Sequence, residues 1–98
     1  MDPTLLAPGR ICIKLKGREK LRYAVIVKKL DKNYVVITGP KEVTGVRRRK
    51  VNIKHIKITP MKIDIPEDAS DEEIIKKLKE LNLLDKLKEK VKLKKEVE

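Results

Sequence analysis

The chain has no Phe, no Trp and only two Tyr in 98 residues, so its core must rest on Ile, Val and Leu. The scarcity also bears on function. Proteins that read unstacked bases offer several aromatic rings to stack them on, and this chain has almost none, so any contact with nucleic acid would run mainly through phosphates and shape. The single cysteine, Cys12, excludes an internal disulfide and has no thiol partner for a zinc site, which suits a reducing compartment. Set in an apolar run, it reads as a packed thiol. The single histidine, His55, stands without a second imidazole and reads as a surface or nucleic-acid-facing residue rather than a catalytic one. Apolar runs are only a few residues long, so neither a signal peptide nor a membrane-spanning segment is expected, and the expectation is a soluble, cytoplasmic chain. Ser-His-Asp arrangements and Gly-rich phosphate loops of Walker or dinucleotide type are missing. Carboxylates cluster only where a helix start already explains them. The expectation is therefore no enzymatic activity, no cofactor, no metal and no small-molecule substrate.

Positive charge is plentiful. Residues 1–60 hold 16 Lys and Arg against 4 Asp and Glu, whereas residues 61–98 hold 10 against 11, so the whole net charge of +11 lies in the first part. A surface of thermophile style, rich in Lys and Glu and free of Gln, accounts for the balanced second part but not for the first. Such asymmetry points to a polyanion, either nucleic acid or an anionic membrane surface. The densest stretch is Arg47-Arg48-Arg49-Lys50, which follows the turn residues from Thr38 to Gly45 and runs into Val51-Asn52-Ile53. On a strand, alternate side chains point to opposite faces, so Arg48 and Lys50 would project together and Arg47 and Arg49 on the other side. Four cations could then hold phosphates from two sides, with Arg suited to two-pronged contacts.

The remaining pattern is a series of short strands. Ile11, Ile13 and Leu15 share one face and Arg10, Cys12 and Lys14 the other, which reads as a half-buried strand with cations outside. Lys16 to Arg22 forms a basic turn. Tyr23 to Lys28 carries the run Ala24-Val25-Ile26-Val27, apolar on both faces like a covered central strand. Leu30 to Asn33 makes a hairpin connection in which Asn33 can take a positive φ, and Tyr34 to Thr38 is a third strand. Val51 and Ile53 then face inward while Arg48, Lys50, Asn52 and Lys54 project outward, and a tight turn at Lys54-His55 starts a fifth strand, Ile56 to Thr59. Five short antiparallel strands favour a small barrel, so the class is mainly β with C-terminal α-helices. Pro60 and the Ile63 to Pro66 segment divide a basic barrel, 1–60, from a linker and helical extension, 61–98, that packs on it. Ser70-Asp71-Glu72-Glu73 matches a capping box, followed by an apolar face of Ile74, Ile75, Leu78 and Leu81 and helical pairs Glu72 with Lys76 and Glu73 with Lys77. Asn82 ends that helix. Asp85 caps a second one carrying Leu87 and Val91, and Lys92 to Glu98 is either its end or a frayed tail.

Two stretches carry a family resemblance. Pro8-Gly9-Arg10-Ile11-Cys12-Ile13-Lys14-Leu15-Lys16-Gly17-Arg18-Glu19, followed by Ala24-Val25-Ile26-Val27, resembles the KOW motif of ribosomal proteins and transcription factors. Val36-Ile37-Thr38-Gly39-Pro40-Lys41 with Thr44-Gly45-Val46-Arg47-Arg48-Arg49-Lys50-Val51-Asn52-Ile53 is more specific. Together they are similar to the family of large-subunit ribosomal protein fourteen of the archaeal and eukaryotic type, from about Pro8 to the Ser70 helix start, and the short length suggests the archaeal form. The resemblance implies an SH3-like barrel with C-terminal helices on large-subunit ribosomal RNA, beside other ribosomal proteins; the expectation is a chain that is monomeric when free and located in the cytoplasm, in the ribosome. By position, Arg10, Lys14, Lys16 and Arg18 belong to the first motif and Arg47, Arg48, Arg49, Lys50 and Asn52 to the second; the expected RNA contacts are these, with Lys20 and Arg22 on the first loop and Lys41, Thr44 and Lys54 around the second. The chain departs from the usual KOW pattern in lacking a second glycine between Gly17 and Tyr23. A KOW-type accessory domain tethering a transcription or translation factor is the alternative. An adaptor for Pro-rich peptides would need an aromatic groove that two tyrosines hardly supply.

Overall fold

Runs of β-branched residues too short for helices become strands wherever both of their faces can be covered. In the computed structural model, which describes residues 7–17, 20–40 and 43–88, these runs are β1 (Arg10–Lys14), β2 (Tyr23–Lys29), β3 (Tyr34–Thr38), β4 (Arg49–Asn52) and β5 (Ile56–Lys62). A 3-10 turn, Ile53–His55, joins β4 to β5, and helices α1 (Asp71–Glu80) and α2 (Leu84–Lys88) follow. The five strands form one antiparallel sheet in the order β4-β3-β2-β1-β5, an arrangement compatible with a small barrel. The 3-10 turn carries the chain from one sheet edge to the other. Asn52 caps it, its Oδ1 accepting from the Lys54 N–H at 2.9 Å.

The alternation of side chains separates two cores. Cys12, Ala24, Ile26, Val35, Ile37, Val46, Val51 and Ile56 pack together on one side of the sheet. On the other, Ile11, Val25 and Val27 pack against Ile63, Ile65, Ile74, Leu78 and Leu87 from the chain beyond β5. Strand β2 is thus covered on both faces. So is β1, which corrects the expectation of a half-buried strand with cations outside: Cys12 is fully buried and Lys14 is only 6% exposed. Strand β5 runs past Thr59 and through Pro60, tolerable on an edge strand where a missing N–H faces no partner. Its pairing with β1 shifts between Arg10 and Cys12, and at that irregularity Thr59 Oγ1 donates to the Ile11 carbonyl at 2.6 Å.

The capping box forms as its spacing predicts. Ser70 Oγ accepts from the Glu73 N–H at 3.2 Å, and Glu73 Oε1 accepts from the Ser70 N–H at 3.0 Å. At the other end Asn82 takes φ 58°, and the N–H groups of Leu83 and Asn82 donate to the carbonyls of Leu78 (2.9 Å) and Lys79 (3.2 Å), a Schellman closure. Since the helix stops there, Leu81 leaves the packed stripe and is 47% exposed. Lys77 pairs with Glu80 at 3.5 Å, because Glu73 is engaged at the cap. Helix α2 begins at Leu84, so Asp85 lies inside its first turn rather than at its cap, and Val91 and Lys92 to Glu98 fall outside the described residues. In the β2–β3 turn it is Asp31 that shapes the chain, its Oδ1 accepting from the N–H groups of Asn33 (2.8 Å) and Tyr34 (3.0 Å), and no positive φ arises at Asn33.

Candidate nucleic-acid interface

Successive hairpins of an antiparallel meander emerge at alternate ends of the sheet. The loop between β1 and β2 and the loop between β3 and β4 therefore share one end. Their bases touch there: a Cβ added to Gly39 would come within 3.1 Å of the Tyr23 carbonyl oxygen and would collide with Thr44 Oγ1. The 3-10 turn joins them, since the Leu15 N–H donates to the His55 carbonyl at 2.8 Å and so sets Lys54 and His55 beside the first loop.

In the first loop the Leu21 N–H donates to the Lys14 carbonyl at 2.7 Å and the Lys14 N–H to the Arg22 carbonyl at 3.0 Å, closing the hairpin. Among its described residues, Gly17 at φ 92° and Leu21 at 67° take the left-handed conformation. Leu21 thus takes, in the stretch that lacks a second glycine, a conformation that glycine adopts more readily. The Lys14 ammonium lies beneath the loop, 2.8 Å from where a Cβ on Gly17 would stand. Lys16 and Lys20 are exposed, Arg22 Nη1 donates to the Lys88 carbonyl at 3.2 Å, and Arg18 is outside the described residues. Arg10 is not on this loop. It begins β1 at the far end of the sheet, paired in register with Lys62.

The second loop is braced by the Pro40 carbonyl, which accepts from the N–H groups of Val43 (2.7 Å) and Thr44 (3.0 Å), and by Val46, buried in the barrel-side core. Thr44 is buried, and its Oγ1 accepts from the Val46 N–H at 3.3 Å. Lys41 is outside the described residues. Arg47, Arg49 and Lys50 are exposed along the entry to β4, an edge strand paired only with β3. The Lys50 ammonium stands 4.8 Å from the centre of the Tyr34 ring. Arg48 behaves differently. Its Nη2 donates to the Ala69 carbonyl at 2.5 Å and to Asp71 Oδ1 at 3.2 Å, and the same carboxylate oxygen accepts from Thr38 Oγ1 at 3.0 Å. Arg48 thus ties the loop to the first residue of α1.

Of the fourteen residues singled out in the sequence, Lys16, Lys20, Arg47, Arg49, Lys50 and Lys54 are exposed at or beside the paired loops. Lys14, Thr44, Asn52, Arg22 and Arg48 make contacts that shape the loops or bind them to the helices. Lys57, not among the fourteen, is exposed on β5 just beyond the 3-10 turn, and its alternation with the buried Ile56 was a signal for it. The cations along the two edge strands also discourage pairing of the sheet with a second copy. Among the described residues no group of three or more His, Cys, Asp or Glu is placed to hold a metal ion, and no helix is long and apolar enough to cross a membrane. Burial raises the Cys12 thiol to about 12, far from nucleophilic range.

No protein-family model matches the chain. Among curated proteins it is similar to the large ribosomal subunit protein eL14 of Saccharolobus solfataricus, with 56% identity over 85 residues, 87% of this chain and 88% of the relative. The proteins of the same name from Saccharolobus islandicus (54% over 86 residues, 88% and 90%) and Aeropyrum pernix (54% over 85 residues, 87% and 85%) are comparably close. Their likeness spans both basic loops and the capped helix, and the chain belongs to the eL14 family of large ribosomal subunit proteins.

Proposed function

We propose that this chain is a structural constituent of the large ribosomal subunit that binds ribosomal RNA through the two basic loops at one end of its sheet. The observation that carries this reading is the junction of those loops at Gly39 and Tyr23, with exposed Lys16, Lys20, Arg47, Arg49, Lys50 and Lys54 around it. A cluster of like charges on a rigid base is relieved by a polyanion, and each phosphate neutralised releases counterions. Base stacking contributes little, since Tyr23 packs against the helix-side core and the Tyr34 ring is covered by Lys50. The contacts are therefore to backbone, and they position folded RNA rather than read its sequence. Placed in the ribosome, the chain works in the cytoplasm of an archaeal cell, as its named relatives' organisms suggest.

The joint substitution Arg47→Ala, Arg49→Ala and Lys50→Ala should leave the circular dichroism spectrum unchanged. It should weaken binding to large-subunit RNA roughly tenfold or more and flatten the slope of log affinity against log salt by about 2–3. An unchanged affinity across the salt series would remove the second loop from the interface. In a sucrose gradient of cell extract, the tagged chain should stay with the large subunit after a high-salt wash. Release into light or polymerase-containing fractions would identify a KOW-type accessory domain instead.

A further inference from the structure

The opposite end of the sheet holds a second basic feature that the loops do not use. Arg10 and Lys62 stand across from one another on β1 and β5, a placement in which like charges repel. Arg10 Nη1 donates to the Thr59 carbonyl at 3.3 Å, but its Nε is buried and has no hydrogen-bond partner among the described residues. Both side chains border an open groove of about 520 Å³. Asp64 stands on its rim, and the rest of the lining is apolar: Ala7, Pro8, Ile63 and the exposed Leu81 that follows α1.

We propose that this groove is the seat of a neighbouring protein of the large subunit, whose docked segment carries an Asp or Glu within two residues of an aliphatic side chain. The carboxylate enters between Arg10 and Lys62, relieving their repulsion and accepting from the guanidinium in the two-pronged geometry that Arg favours. The aliphatic group covers Leu81. RNA fits less well, because four of the seven lining residues, Ala7, Pro8, Ile63 and Leu81, are apolar, while the exposed cations of the paired loops lie at the other end of the sheet. The two ends of one sheet thus serve two kinds of partner. This inference rests on the chain's place in the large subunit and not on the grip of its loops.

The test is the full chain with p-benzoylphenylalanine in place of Leu81, expressed in cells, irradiated, and recovered in purified large subunits. The same reagent in place of Ala7 probes the opposite wall. The expected result is a crosslink from either position to one ribosomal protein, at a peptide with the stated acidic and aliphatic pair. Adding Lys62→Glu should cut its yield at least fivefold, while filter binding of the free chain to RNA stays within twofold. Crosslinks only to RNA, only to residues 1–6 of the chain itself, or to a peptide lacking a carboxylate would overturn the proposal. So would a yield indifferent to Lys62→Glu. A failure of the loops to bind RNA would be read separately, in the filter assay.

Discussion

Leu21 holds φ 67°, a conformation that costs an ordinary side chain about 1–2 kcal/mol. Glycine would escape that cost but loses roughly 0.5–1 kcal/mol of chain entropy on folding. Leu21→Gly should therefore leave the urea midpoint unchanged or raise stability by up to about 1 kcal/mol, whereas Leu21→Val, β-branched and stiffer, should lower it by at least about that amount. The gap in the glycine pattern was readable from the residues. That Leu21 would take the left-handed conformation was not, because a leucine carries no local preference for this region. Cys12 was legible as a packed thiol from its apolar neighbours, and its chemistry follows from burial. Its pKa rises from 9.0 to about 12, so the protonated thiol favours the fold in full below pH 9 and that contribution is lost between 9 and about 12. Stability should fall over that window more steeply than in Cys12→Ala, as followed by urea denaturation, and at pH 8 a thiol reagent should label the native chain only as fast as it opens.

At the level of single elements, what the sequence disclosed depends on how far apart the partners lie. Ser70 and Glu73 are three residues apart, so their box was legible, as was the Asn82 stop. Asp71 lies far along the chain from Arg48, and only the fold joins them. Alternation alone assigned Arg48 to the outer face with Lys50, and it could not show that α1 would start within its reach. Since this ion pair is 36% and 47% exposed, its charge contributes little, and the bond to the Ala69 carbonyl matters as much. Arg48→Ala should cost about 1 kcal/mol in urea denaturation, against less than about 0.5 for an exposed cation such as Lys54. Because Arg48 and Asp71 share contacts, the double substitution should cost less than the sum of the two single ones. Strand β1 was misread for the same reason. Period-two patterning places Lys14 outside, but the first loop folds over its ammonium.

For the molecule as a whole, the two cores explain how a chain without Phe or Trp achieves a stable sheet. Each face of β1 and β2 has its own aliphatic layer, one closed by the other strands and one by α1 and α2. Leu78 is fully buried in the second layer, and Leu78→Ala should destabilise by about 2–5 kcal/mol; the half-buried Ile75→Ala should cost less, with calorimetry as the measure. The division of labour also sets a timetable during synthesis. The strands are complete once Lys62 has been made, but the residues that cover Val25 and Val27 extend to Leu87. At about 5–20 residues per second, the apolar outer face stays bare for roughly 1–5 s after the sheet can form. In that interval the nascent chain shows bare apolar surface of the kind that chaperones bind, and its basic loops are already finished before its oily side is sealed.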